Sequence, residues 1–142
     1  MYYILKKTDK CKWFVIDAGQ YVLGKLASKI SMIIQGKHKA CYTQNINCGD
    51  HLVVVNARLI RFTGDKDCKK KYYKYTGFPS GLRSLRASDM KQAFGNTNVI
   101  YKAVQRMLPK ESALVKKQLK RLHIYIDEFH NHTSHKPSPI NL

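Results

Sequence analysis

Three features of the chain predict an α/β fold. Two short apolar runs rich in β-branched residues, "WFVIDA" (13–18) and "HLVVVNA" (51–57), read as buried strands. Between them "VLGKLASKISMIIQG" (22–36) carries apolar residues at helical spacing. Strand, helix and strand follow one another over about 45 residues, the span of a βαβ unit with parallel strands and a right-handed crossover.

The elements are justified in chain order. In the helix, Leu23, Leu26, Ala27, Ile30, Ile33 and Ile34 form the apolar stripe, with Lys25, Ser28, Lys29 and Gln35 mostly opposite. Gly36 is placed to end it in the left-handed conformation. Gly24 is expected to let the helix start approach the strand closely. A basic loop, "KHKACYTQNINCGD", leads to the second strand, where Asp50 is expected to bind backbone. "LIRFTG" (59–64) reads as a third extended piece turning at Gly64-Asp65. In "DKDCKKKYYKYTGFPSGLRS", lysines interleave with Tyr72, Tyr73 and Tyr75, and part of the tyrosine set must face the core because alternate strand residues point inward. Gly77, Pro79 and Gly81 make an irregular loop. Ser88 and Asp89 are expected to cap a short helix. A longer helix buries Val99, Ile100, Ala103, Val104, Met107 and Leu108, with Asn96 or Thr97 at its cap and Pro109 stopping it. "SALVKKQLKRL" follows as a helix with Ser112 near its cap, and "LHIYI" (122–126) as a strand. The tail, "DEFHNHTSHKPSPINL", is expected to lie extended over the surface or a partner and to order only there.

The charge narrows the function. Of 142 residues, 26 are Lys or Arg against nine Asp or Glu, a formal charge of +17. Self-repulsion on that scale opposes compaction, so a polyanionic partner is implied. No apolar run approaches the roughly 18 residues of a spanning helix, and no long basic amphipathic helix points to a membrane surface. Nucleic acid is the expected partner, with no membrane and no small-molecule substrate. The basic residues fall in three clusters with rings nearby: 37–42, 69–75 (Lys69, Lys70, Lys71, Tyr73, Lys74 and Tyr75) and 116–121 (Lys116, Lys117, Lys120 and Arg121). Cations neutralise phosphates and rings stack on exposed bases. Cys11, Cys41, Cys48 and Cys68 show no C-x-x-C pairing and read as free thiols of a reducing compartment.

Two catalytic patterns were weighed. Gly19, Gly24 and Lys25 fit seven positions of G-x-x-x-x-G-K-[ST], the loop of nucleotide-binding proteins. Leu26, however, stands where the Mg²⁺-binding hydroxyl belongs, and the second strand ends in Asn56 rather than Asp. His130-Asn131-His132, with His135 nearby, suits no common metal-site spacing. No nucleophile–base pair and no paired carboxylates occur. The chain is expected to be non-enzymatic, with no cofactor and no metal.

The stretches "WFVIDA", "LGKLAS", "GKHKACYT", "CGDHLVVVNA", "FTGDK", "YYKYTGFPSGLRS", "MLPK" and "KRLHIYIDEFHNH" occur in one order across residues 13–132. In that order they resemble ribosomal protein thirteen of the large subunit. The resemblance implies a three-layer α/β/α fold around a mainly parallel sheet of four strands. It also implies a structural protein that binds and bridges large-subunit rRNA, supports subunit assembly, and sits in one copy beside neighbouring ribosomal proteins. By matching motif, the implied RNA-facing residues are Lys37, His38, Lys39, Tyr42 and Thr43. The tyrosine–glycine loop adds Tyr73, Thr76, Gly77, Gly81 and Arg83, and the later motifs add Lys110, His130 and His132. One domain over 13–129 is expected, with a basic extension (1–12) and a tail (130–142). Departures from the pattern are Tyr75 for His, Ser80 for Gly, Arg106 for Gly, and "ESALVKK". "NCGDH" and "RLHIYIDEF" look like the mitochondrial branch, and 20 Lys against six Arg fit an AT-rich genome. A mitochondrial ribosome is therefore expected, with a plastid or a bacterial cytoplasm as the alternative.

Overall fold

The computed structural model describes residues 11–110 and 112–140. The expected basic extension lies, up to residue 10, outside them. β1 (Trp13–Asp17) leads through a short 3-10 turn into α1 (Leu23–Gln35), and β2 (His51–Val55) returns parallel to β1, Trp13 pairing with His51 and Asp17 with Val55. The βαβ unit is thus present. β5 (Leu122–Ile124) adds parallel to β2, and β6 (Ser138–Pro139) parallel to β1. The result is a four-stranded parallel sheet in the order β5-β2-β1-β6, an α/β fold as expected.

The two faces of the sheet are covered differently. Ile16, Leu52, Val54 and Leu122 point into the main core, where they meet Leu26, Ile30 and Ile34 of α1 and Val99, Ile100 and Val104 of α3 (Ala87–Met107). Burying one such aliphatic side chain contributes about 1.5–3 kcal/mol, so this layer carries most of the fold's stability. The other face presents Trp13, His51 and His123, with His132 and His135 of the C-terminal segment packed on their rings. The tail was expected to lie extended over the surface or a partner and to order only there. Instead it lays a 3-10 turn (Thr133–His135) on the sheet and supplies its fourth strand.

α1 ends where expected. Gly36 has φ 83°, its amide donates to the carbonyls of Met32 and Ile33, and the Lys37 amide donates back to Met32. A Cβ there would stand 2.9 Å from the Cys48 backbone, so this position requires glycine twice over. Gly24 corrects an expectation: a Cβ there meets nothing within 4 Å, so it makes no close approach to the strand.

The segment after β2 is also a correction. Asn56 turns left-handed (φ 55°) and Ala57–Leu59 form a 3-10 turn, so "LIRFTG" is no third strand; only Arg61 forms a bridge, to Val22. The lysine–tyrosine segment instead builds a separate hairpin: α2 (Lys66–Lys69) precedes β3 (Lys71–Tyr75), which pairs antiparallel with β4 (Leu82–Arg86). Of its tyrosines, Tyr72 is buried and Tyr73 and Tyr75 are exposed.

α3 opens at Ala87, with Ser88 and Asp89 bonded to each other rather than capping it. Gly95 (φ 75°) breaks it; the second half buries Val99, Ile100, Val104 and Leu108 and half-buries Ala103, whereas Met107, expected on the same face, is exposed because it lies at the helix end. α4 (Leu114–Leu119) is shorter than its sequence pattern, and the Ser112 hydroxyl accepts from the Leu114 amide at its start. No helix among the described residues is long and apolar enough to cross a membrane.

Candidate nucleic-acid interface

The loop after α1 holds the first cluster, and a buried carboxylate organises it. Asp50 is fully buried at the start of β2. It accepts the Lys12 amide (2.8 Å), His38 Nε2 (2.8 Å) and Lys39 Nζ (2.6 Å). The expected backbone contact of Asp50 is therefore present. Lys39 is largely buried by its bond and His38 partly so, whereas Lys37 is exposed and has no ion pair among the described residues. Lys37, Tyr42 and Thr43 line a cleft of about 570 Å³ between this loop and the Met107–Pro109 turn. Gln44 and Asn45 also line it, as does Gln118, whose buried Oε1 has no partner. Such amides read base edges, and sequence reasoning missed them because they carry no charge.

The hairpin is the second cluster. Lys71, Tyr73, Lys74, Tyr75, Thr76, Gly77 and Arg83 are all exposed on it, so cations and rings share one projecting surface. Phe78, 73% exposed, sits at the tip and was missed because a lone aromatic beside Pro79 gives no pattern. Gly81 closes the tip: its carbonyl accepts from the Thr76 amide and hydroxyl, and a Cβ would lie 2.1 Å from the Thr76 hydroxyl oxygen. Its role is thus to shape the tip. Lys69 pairs with Asp65 in the open, a contact worth little. Lys70 lies 5.4 Å from the centre of the buried Tyr72 ring.

In the third cluster Lys110, Lys116, Lys117 and Lys120 are exposed. Arg121 is turned inward, its guanidinium donating to the carbonyls of Gly49 and Asn47, so it fastens the loop before β2.

His132 is also turned inward. Its ring lies 4.9 Å from Trp13 and 4.3 Å from His123, and its amide donates to Nδ1 of His130. Trp13 itself stacks between His51 at 4.3 Å and His135 at 4.2 Å. Burial, then Arg121 and His135, holds His51 below the ordinary histidine value, against a smaller upward pull from Asp50. Burial and then His132, His51 and His135 lower His123. Burial and then His135 and His130 lower His132. The signal for this stack was present in the sequence: Trp13, His51 and His123 share one face of neighbouring strands.

The nucleotide-loop alternative finds no cradle. The Gly19 amide donates to Asp17 Oδ1, the Tyr21 amide to the Ala18 carbonyl, and the Leu23 amide to the Arg61 carbonyl. Those donors are occupied, and Lys25 points to solvent from α1. No group of three or more His, Cys, Asp or Glu among the described residues is arranged to hold a metal ion. Cys11, Cys48 and Cys68 are free thiols.

Comparison with known proteins agrees with the motif order. Residues 11–131 match the family described as Ribosomal protein L13. A protein of Thermotoga petrophila named large ribosomal subunit protein uL13 is 45% identical, covering 92% of this chain and 87% of that protein. Proteins of the same name are 42% identical in Dictyoglomus thermophilum (96% and 95% covered) and 40% identical in Geobacillus kaustophilus (92% and 89%). With most of both chains aligned at that identity, this chain belongs to the ribosomal protein L13 family.

Proposed function

We propose that the chain is a structural constituent of the large ribosomal subunit that binds and bridges large-subunit rRNA and supports subunit assembly. It acts as one copy among neighbouring ribosomal proteins, without catalysis. The observation that carries this reading is the arrangement of exposed cations. Lys37, the hairpin (Lys71, Lys74, Arg83) and the 110–120 segment (Lys110, Lys116, Lys117, Lys120) are surfaces held apart by one rigid α/β core. Bulky surfaces of one sign, fixed in space, suit phosphates of RNA helices remote in sequence. Tyr73, Tyr75 and Phe78 add exposed rings for unpaired bases.

The compartment we infer is a mitochondrial ribosome of an AT-rich genome, from "NCGDH", "RLHIYIDEF" and the Lys-to-Arg imbalance. The named relatives are bacterial, which makes a bacterial ribosome the main alternative. Sedimentation of the tagged protein from fractionated cells tests both parts. Migration with a mitochondrial large subunit, stable to moderate salt, is expected. Migration with a bacterial or plastid subunit keeps the function and overturns the compartment. A light, ribosome-free peak sinks the structural reading.

A further inference from the structure

The start of α1 failed as a nucleotide loop, yet it borders an unusual concentration of positive charge. A cavity of about 200 Å³ opens there, with Lys66, Lys70 and Arg106 in its lining and apolar side chains such as Leu23, Phe62 and Met107 making much of the remaining wall around Gly24. Three of those residues are cationic: Lys66 in α2, Lys70 capping the end of α2, and Arg106 near the end of α3. A fourth cation stands beside them, because Lys70 Nζ (5.4 Å), Lys102 Nζ (5.8 Å) and Arg106 Cζ (4.9 Å) all lie against the Tyr72 ring.

Lys66 donates to the Thr63 hydroxyl. The two nearby carboxylates are engaged elsewhere, Asp65 with Lys69 and Asp67 with Lys91. None of Lys66, Lys70, Lys102 and Arg106 has an ion pair among the described residues. The Tyr72 ring partly compensates through its negative face. Its hydroxyl, on a residue that is 4% exposed, is buried with no hydrogen-bond partner among the described residues. Cations gathered round a cavity repel one another, and an anion between them relieves that repulsion.

We propose that this cavity is a binding site for a single phosphate group, held by Lys66, Lys70 and Arg106. The volume supports that size of ligand. It falls below the roughly 300 Å³ at which pockets enclose a drug-sized molecule, so a phosphate fits and a whole nucleotide does not. The start of α1 adds to the field, since Val22 offers no side-chain cap and the first turn holds no acidic residue. Gly24 keeps the wall open. The state of Lys70 is consistent with an unfilled site. Burial first, then Arg106 and Lys66, pull its pKa below the ordinary lysine value, and an arriving anion reverses the charge repulsion. Arg106 is one of the residues at which the chain departs from the pattern it resembles, so the site is more cationic here than that pattern requires.

The phosphate has two possible sources, a phosphodiester of RNA or free phosphate in solution. The first rests on the RNA-binding reading above and the second does not. The experiment therefore has two arms on the full chain. In the first, affinity for a transcript of large-subunit rRNA is measured between 50 and 300 mM KCl, for wild type, Arg106→Gln and Gly24→Val (~50 to ~300 mM spans the range over which such binding weakens steeply). Loss of one phosphate contact lowers the salt slope by about 0.7–0.9. Gly24→Val removes no charge and only fills the wall, and it is expected to lower the slope by a similar amount. In the second arm, acylation of Lys70 is followed by mass spectrometry with inorganic phosphate or pyrophosphate alone. Protection of Lys70 by RNA but not by millimolar phosphate assigns the phosphodiester, and protection by phosphate assigns the free anion. Unchanged slopes in both variants, together with no protection of Lys70 by any of the three, overturn the site. If wild type fails to bind the transcript at all, the RNA-binding reading fails, and protection by phosphate alone then decides the cavity.

Discussion

Asp50 shows how one residue can decide which cations are available. Its carboxylate is removed from water and satisfied by Lys39, His38 and the Lys12 amide. Removing one partner of a buried pair leaves an uncompensated charge, at a cost of about 3–5 kcal/mol. Asp50→Ala is therefore expected to lower stability by about 3 kcal/mol, the smaller figure because His38 is partly hydrated. The double variant Asp50→Leu with Lys39→Met should recover much of that loss, because two apolar groups then replace the pair. Urea denaturation of the three proteins measures both, and a single variant costing under about 1 kcal/mol would remove the organising role given to Asp50. Residues of this kind were only half legible in the sequence. That Asp50 would bind backbone could be read from its place before an apolar run. That it would also claim Lys39, or that Arg121 would turn in to Gly49, could not, because those partners meet only after the sheet has closed. Ser80 is a similar case: it stands where glycine is usual in the resembling pattern and takes φ 59°, a left-handed conformation that costs a residue with a Cβ more than glycine.

Elements with a period were legible, and elements made by pairing were not. The stripe of α1 and the continuous apolar runs of β1 and β2 are properties of the local sequence. β4 is "LRSLR", which has no clean alternation and exists because Tyr72 and Leu85 pair across the hairpin. β6 is two residues long and contains Pro139, which sequence reasoning counts against a strand; at an edge the missing N–H costs nothing. What holds that edge is the ring stack between the tail and Trp13, and its histidines make the docking depend on pH. The folded pKa values of His51, His123 and His132 lie below the ordinary 6.5. The unfolded or undocked chain then binds more protons as pH falls through that value, so stability is full above it and is lost below it. Lowering pH from 8 to 5 (about three units across the histidine range) should free the 130–140 segment before the core unfolds. Trp13 is the single tryptophan, so its emission reports the stack directly, and limited proteolysis reports the tail. Emission and cleavage that stay flat until global unfolding would mean the stack does not hold the tail.

At the scale of the whole molecule the net charge of +17 sets two effects of salt against each other. The family itself was legible at this scale, because eight short motifs in one order specify it although each alone is weak. The charge, by contrast, is a global quantity whose partner never appears in the chain. In the free protein the excess cations repel, and four ion pairs among the described residues offset little of that. The Debye length is about 10 Å at 0.1 M salt and about 3 Å at 1 M, so added salt screens repulsion between exposed lysines on different clusters. The pairs at Asp50 are buried and are screened far less. Raising KCl from about 0.05 to about 0.5 M should therefore raise the melting temperature of the free protein by a few degrees. The same change should weaken binding to large-subunit rRNA by orders of magnitude, since each phosphate contact adds roughly 0.7–0.9 to the slope of log K against log salt. Calorimetry on the free chain and filter binding on the complex give the two signs separately. A melting temperature that falls with salt would show that attractive surface pairs outweigh the repulsion, and that the excess charge needs no polyanion to balance it.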